Sequence, residues 1–324
     1  MQPLASIAAV TAPFFALVLC GYLAARQRVL PESAIPGLNA FVLFFALPCL
    51  LFRFGANTPV ALMFNPVMGG VYVLCALVMV GLTIAVTIGE HIHLKDAAFG
   101  ALVAAFPNTG FMGVPLLVAL LGPAAAGPAI CTITVDLFIT TTLCLALAEA
   151  HGAAGHDRRT ASLRILRGAL SNPQPWAIAL GALCSAQGWS LSGPADTVVK
   201  MLADAASPVA LFTIGAVLWR AGQHAHTRTP PLRYLPVALI KLLLHPLLVL
   251  AIGSAARALG APLPAFALLV ITLVAALPSA SNVAILAERY GADSGRIARI
   301  IMTSTALAFV TFTTAVWLFG IQPQ

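Results

Sequence analysis

Three groups of residues in this sequence have types and spacings that can do chemistry, and each sits inside an otherwise apolar stretch. Asp136 lies in Thr132-Ile133-Thr134-Val135-Asp136-Leu137-Phe138-Ile139. A carboxylate at the centre of a lipid-embedded helix costs around 3 kcal/mol on insertion scales. Asp136 therefore reads as a group that takes up and releases a proton, or as a structural carboxylate held by hydrogen bonds. Lys241 and His245 stand one turn apart on one helix face, with Pro246 immediately after. Lys241 can balance negative charge on Asp136 or on a bound anion, or its stem can carry the ammonium to the membrane surface. His245 either packs and hydrogen-bonds or joins the other two in handling an ion. Asp136, Lys241 and His245 are thus the ion-coupling candidates.

The third group is a pair of polar breaks, Pro107-Asn108-Thr109-Gly110 and Pro278-Ser279-Ala280-Ser281-Asn282. Proline has no amide hydrogen and clashes with the preceding turn, so each break interrupts a helix. In lipid such backbone is tolerated only where it is buried in protein or lines a cavity. The half-helix that resumes after a break offers free amides and the positive end of its dipole, which suits an anion. Either break alone could be a simple kink. Two at matching places in two halves point to a transporter binding site. Pro107, Asn108, Thr109, Gly110, Pro278, Ser279, Ser281 and Asn282 are the substrate-binding candidates, with Asn39 of an earlier apolar run as a further wall of the cavity.

Other chemistries lack their residues. The pairs His91/His93 and His224/His226 have no further ligands nearby in sequence, and the six cysteines show no C-x-x-C spacing, so neither a metal site nor a disulfide is expected. There is no Walker loop and no His-Glu-x-x-His. Asp136 has no second intramembrane carboxylate, and no stretch is polar enough for a soluble output domain. An intramembrane enzyme or a sensor stands as the non-transport alternative. No cofactor is expected.

The elements that must hold these residues follow from composition. Of 324 residues, 60% are hydrophobic and 8% charged, against roughly 25% charged in soluble domains, so much of the surface must face membrane lipid. Runs long enough to span, at about 20 residues each, lie roughly over 5–25, 35–54, 66–88, 97–121, 124–149, 172–190, 197–219, 233–257, 263–287 and 297–319. The first is expected to be retained, because the bulky Leu19 before Cys20 does not suit cleavage. Net charge is +7, yet its distribution speaks for orientation and not for nucleic acid. Arg26, Arg28, Lys95, Arg158, Arg159, Arg164, Arg167, Arg220, Arg228, Arg233, Arg289, Arg296 and Arg299 fall on one side of the ten runs; Arg53, Lys200 and Arg257 fall on the other. The positive-inside rule makes the first side cytoplasmic, with both termini outside and the 150–171 loop inside. Trp176, Trp189, Trp219 and Trp317 fall near run ends, as interfacial anchors do.

Five runs precede the central loop and five follow it, so a repeated unit would enter the membrane from opposite sides. Leu102-Val103-Ala104-Ala105-Phe106-Pro107 matches Leu273-Val274-Ala275-Ala276-Leu277-Pro278, and Pro66 matches Pro236 at nearly the same offset. The expected architecture is an all-α integral membrane protein of ten transmembrane helices, built as two five-helix inverted repeats over 1–155 and 156–324, with helices 4 and 9 broken.

At these residues the sequence resembles the auxin efflux carrier family, which includes the plant PIN exporters and bacterial malonate-type carriers. Pro107-Asn108-Thr109-Gly110-Phe111-Met112-Gly113-Val114-Pro115 is similar to the family's fourth helix. Ala46-Leu47-Pro48-Cys49-Leu50-Leu51-Phe52, Asn172-Pro173 and Ala275-Ala276-Leu277-Pro278 resemble its second, sixth and ninth, in that order. The resemblance implies that the broken helices 4 and 9 cross, with substrate beside the crossing. It implies a scaffold of helices 1, 2, 6 and 7, a moving core formed by the rest, and a homodimer through helices 1, 2 and 7. Asn108 matches the family's asparagine, whereas Ser279-Ala280-Ser281-Asn282 departs from the plant pattern. The function so implied is secondary transport of a small organic anion across the inner membrane by an elevator-type alternating-access cycle. Malonate-like dicarboxylates and indole-type acids both fit. The alternative is a proton- or sodium-coupled symporter or antiporter of related architecture.

Overall fold

The computed structural model describes residues 4–150, 172–224 and 229–321. The central loop, with Arg158, Arg159, Arg164 and Arg167, lies outside the described residues, as do His226 and Arg228. The described chain is helical throughout. Its elements are α1 (Leu4–Arg26), α2 (Glu32–Ala56), α3 (Pro66–Thr87), α4 (Leu94–Ala105), α5 (Thr109–Leu121), α6 (Pro123–Ala150), α7 (Pro173–Gln187), α8 (Gly193–His224), α9 (Leu235–Ala258), α10 (Ala265–Ala276), α11 (Asn282–Arg289) and α12 (Ser294–Leu318).

Seven elements are long and apolar enough to cross a membrane: α1, α2, α3 with the turn before it, α6, α8, α9 and α12. The remaining pieces are too short to span singly. The fourth expected run divides into α4 and α5, and the ninth into α10 and α11, each at its Pro-led break. Entry points follow local capping rules. Asn65 accepts from the Met68 amide at 3.0 Å and Asn172 from the Gln174 amide at 3.0 Å, each with proline at the first helical position.

A helix apolar on every side belongs in the middle of a fold. α4 is buried at every position from Ala97 to Ala105, and α10 at nearly every one from Ala267 to Ala276. The outer helices instead turn large apolar side chains such as Phe44, Phe45 and Leu247 outward.

Lipid tails give apolar helix faces no reason to leave them, so close packing has to come from small residues. A Cβ on Gly21 of α1 would lie 1.8 Å from the Phe212 carbonyl oxygen of α8, and one on Gly215 of α8 would lie 1.9 Å from the Val18 oxygen of α1. Both obstacles are backbone, so the helices themselves must part. Gly21→Ala or Gly215→Ala is expected to cost about 3 kcal/mol or more, read as a fall in the thermal unfolding midpoint of the purified protein. Gly37, with nothing within 4 Å of its Cβ position, supplies the control substitution.

Arg296 stands at a helix end, in the first turn of α12, yet it does not face solvent. It is fully buried, donating from Nε to the Arg233 carbonyl at 2.9 Å and from Nη1 to the Asp96 carbonyl at 3.0 Å. Asp96 in turn accepts from the Asp293 amide at 2.8 Å. One guanidinium thereby ties together the starts of α4, α9 and α12.

Candidate functional site

The two breaks meet. The residue before a proline is pushed out of the α region, and both Phe106 and Leu277 are extended. That brings the segments after them alongside each other in antiparallel pairing. The Asn108 amide donates to the Pro278 carbonyl at 2.8 Å, and the Ala280 amide to the Phe106 carbonyl at 3.0 Å, around a bridge between Pro107 and Ser279. Ser304 of α12 supports the junction by accepting from the Ser279 amide at 3.2 Å.

Polar capacity is left over. The first amides of a helix have no partner within it. Those of Gly110 and Phe111 on one side, and of Ser281 and Asn282 on the other, meet no acceptor among the described residues. Thr109 Oγ1, Ser279 Oγ and Asn282 Oδ1, all shielded from solvent, likewise have no hydrogen-bond partner among the described residues. Asn108, Thr109 and Asn282 border a cavity of about 20 Å³. A neighbouring chamber of about 220 Å³ shares Phe106 and Asn282 with it. Asn39 borders a separate gap of about 10 Å³ with Ser281 and Thr213, a space for about one water.

Gln174 was not singled out by the sequence. It is buried in the first turn of α7 and lines both the small cavity and the chamber. Its place just behind Asn172-Pro173 was the only signal the sequence offered.

The three ion-coupling candidates fall into two groups, Asp136 with Tyr72 and Thr140, and Lys241 with His245. Asp136 is fully buried; Tyr72 donates to its Oδ2 at 3.2 Å and Thr140 to its Oδ1 at 3.1 Å. Lys241 is also fully buried, which excludes the arrangement in which its ammonium reaches the membrane surface. Its Nζ donates to the Ala275 carbonyl at 2.7 Å and lies 3.1 Å from His245 Nδ1. A cation suits the carbonyl end of a helix, and Ala275 is in the last turn of α10, just before the second break. Lys241 is therefore fastened to the crossing. It makes no direct ion pair with Asp136; Tyr72 touches both groups, bonded to Asp136 and with its ring centroid 6.0 Å from that of His245.

A backbone feature recurs at these residues. Thr109–Gly113, Asp136–Thr140 and Ile240–Leu244 are π-helical turns, as is Val42–Ala46 just after Asn39. Such turns insert one extra residue into a helix and are frequent at functional sites.

Comparison with known proteins places this geometry. The model of a family described as membrane transport protein matches residues 6–318. A Rhizobium meliloti (strain 1021) protein named for malonate transport is 28% identical over 97% of this chain and 96% of its own length. The uncharacterised transporter YfdV of Escherichia coli (strain K12) is 25% identical over 95% of each chain. Auxin efflux carrier component 8 of Arabidopsis thaliana is 24% identical over 76% of this chain and 80% of its own length. With a multi-pass helical fold and a match across nearly its whole length, this chain belongs to the membrane transport protein family, alongside relatives named as auxin and malonate carriers.

Proposed function

We propose that this chain carries a small organic anion across the inner membrane by alternating access, with the substrate held at the crossing of the two breaks. The observation that carries this reading is the paired breaks themselves: two interrupted helices joined by backbone hydrogen bonds, with four open amides and three open side-chain oxygens around them. Open amides at helix starts suit a carboxylate. The names of the relatives are compatible with a carboxylate cargo.

In this proposal the chain has ten spans in two inverted repeats, 1–155 and 156–324, with α4–α5 and α10–α11 each crossing as a broken pair. The scaffold is α1, α2, α7 and α8, and a homodimer forms through α1, α2 and α8. The other helices move as an elevator. Asp136, Lys241 and His245 couple the movement to an ion. Uptake of labelled malonate and longer or aromatic acids into proteoliposomes, with and without a pH or sodium gradient, tests the reading. Uptake without any gradient dependence would leave a uniporter; uptake of none of the acids would end the anion proposal.

Orientation has its own test. On a background lacking the six cysteines, a cysteine at the exposed position of His91 should resist an impermeant thiol reagent in intact cells, and one at exposed Ser190 should react. The reverse pattern would invert the topology expected from the positive-inside rule.

A further inference from the structure

We infer that the chamber beside the crossing selects an elongated α,ω-dicarboxylate, with one carboxylate at the crossing and the other at Arg289. This rests on the reading of the crossing as an anion site, and it adds what kind of anion.

α11 begins at Asn282 and ends at Arg289. Those two residues, with Ile285 and Leu286 between them, all line the 220 Å³ chamber, the spacing of a single helix face. Asn282 also borders the small cavity at the crossing. Arg289 is exposed at the other end, and it is the charged side chain on the chamber wall among the described residues. No carboxylate among those residues pairs with it. The rest of the wall is uncharged, with Leu43, Phe106 and Leu137 beside Thr141, Thr142 and Gln174.

Along α11 the chamber wall is therefore polar at both ends, at Asn282 and Arg289, and apolar between, at Ile285 and Leu286. Seven residues of helix rise separate the ends by roughly 10 Å. Malonate, with one methylene between its carboxylates, cannot reach both. Held at the crossing, it would leave its second carboxylate beside Ile285 and Leu286, short of the guanidinium. A chain of about four to six methylenes lies along the apolar face and meets a charge-accepting group at each end. The guanidinium is the group best shaped to grip that second carboxylate.

Isothermal titration of the purified full-length protein with malonate, adipate, suberate and hexanoate tests this. Adipate or suberate should bind about tenfold or more tightly than both malonate and hexanoate. In Arg289→Gln the ratio of adipate to hexanoate affinity should fall by about the same factor, and Arg289→Lys should recover part of it. Variants are compared only when they elute as the wild type does on gel filtration. Equal binding of malonate and suberate would overturn the inference, as would an unchanged ratio in Arg289→Gln; in either result measurable binding leaves the anion site standing. Binding of none of the acids would remove the anion site and the length selection together.

Discussion

Replacing Asn108 or Asn282 with alanine is expected to weaken substrate binding by roughly 5- to 150-fold while leaving the protein folded. The range corresponds to about 1–3 kcal/mol for the loss of one partner to a buried polar group. Folding should survive because the crossing is joined through main-chain atoms: the Asn108 amide reaches the Pro278 carbonyl whatever the side chain. Asn282 Oδ1 has no partner to lose. Each asparagine offers donors and an acceptor into the same small cavity, so a ligand there can use both. Equilibrium binding and initial uptake rates in proteoliposomes check this, with the thermal unfolding midpoint as the control on folding. Unchanged affinity in both variants would move the substrate elsewhere.

Asp136→Asn is expected to abolish accumulation driven by a pH gradient while sparing downhill exchange. The hypothesis is that the Asp136 carboxyl takes up and releases a proton in the cycle. It is fully enclosed and receives hydrogen bonds from Tyr72 and Thr140, and no cation is paired with it directly. An enclosed carboxylate without a paired cation is costly and a neutral carboxyl is not, so a proton is the natural means of balancing it. Asparagine keeps the shape and one acceptor oxygen but cannot change charge. The accumulation ratio should drop to unity, with counterflow of labelled substrate retained. If Asp136 serves instead as a fixed counter-charge to the Lys241–His245 pair, the same variant should lose exchange and thermal stability together. A wild-type protein indifferent to the pH gradient would exclude the proton role outright.

The breaks were legible in the sequence because proline acts locally. Pro107 and Pro278 dictate extended residues before them and open amides after them, and the polar residues that follow have no other reason to lie in apolar runs. That the two breaks bond to each other was expected only through family resemblance, since nothing local in either segment identifies the other. Long-range partners stayed hidden for the same reason. Tyr72 is an ordinary aromatic residue in an apolar run, and only the packing of α3 on α6 sets its hydroxyl on Asp136. Gln174 reads as a helix-start residue until α7 is seen beside the crossing. Arg296 was counted among the charges that set orientation, whereas folding encloses it and gives its Nε and Nη1 a carbonyl group each. Lys241 was read with an option to reach the surface, and the carbonyl end of α10 holds it inside.

The π-helical turns carry a consequence for how such a chain can change. Each contains one residue more than a regular helix of the same reach. Losing a residue from Asp136–Thr140 or Ile240–Leu244 would therefore leave an unbroken α-helix, with every backbone bond made. Because the reach is the same, the helix beyond would keep its place and direction, and only the wide turn itself would close. Thr141 to Ala150 and the helix from His245 onward would keep their faces, while the wide turns that carry Asp136 and Lys241 would be lost. A shortened gene would encode a membrane protein whose helices keep their alignment and whose charged residues alone have lost the local widening around them, so a one-residue deletion there separates the scaffold from the chemistry it holds.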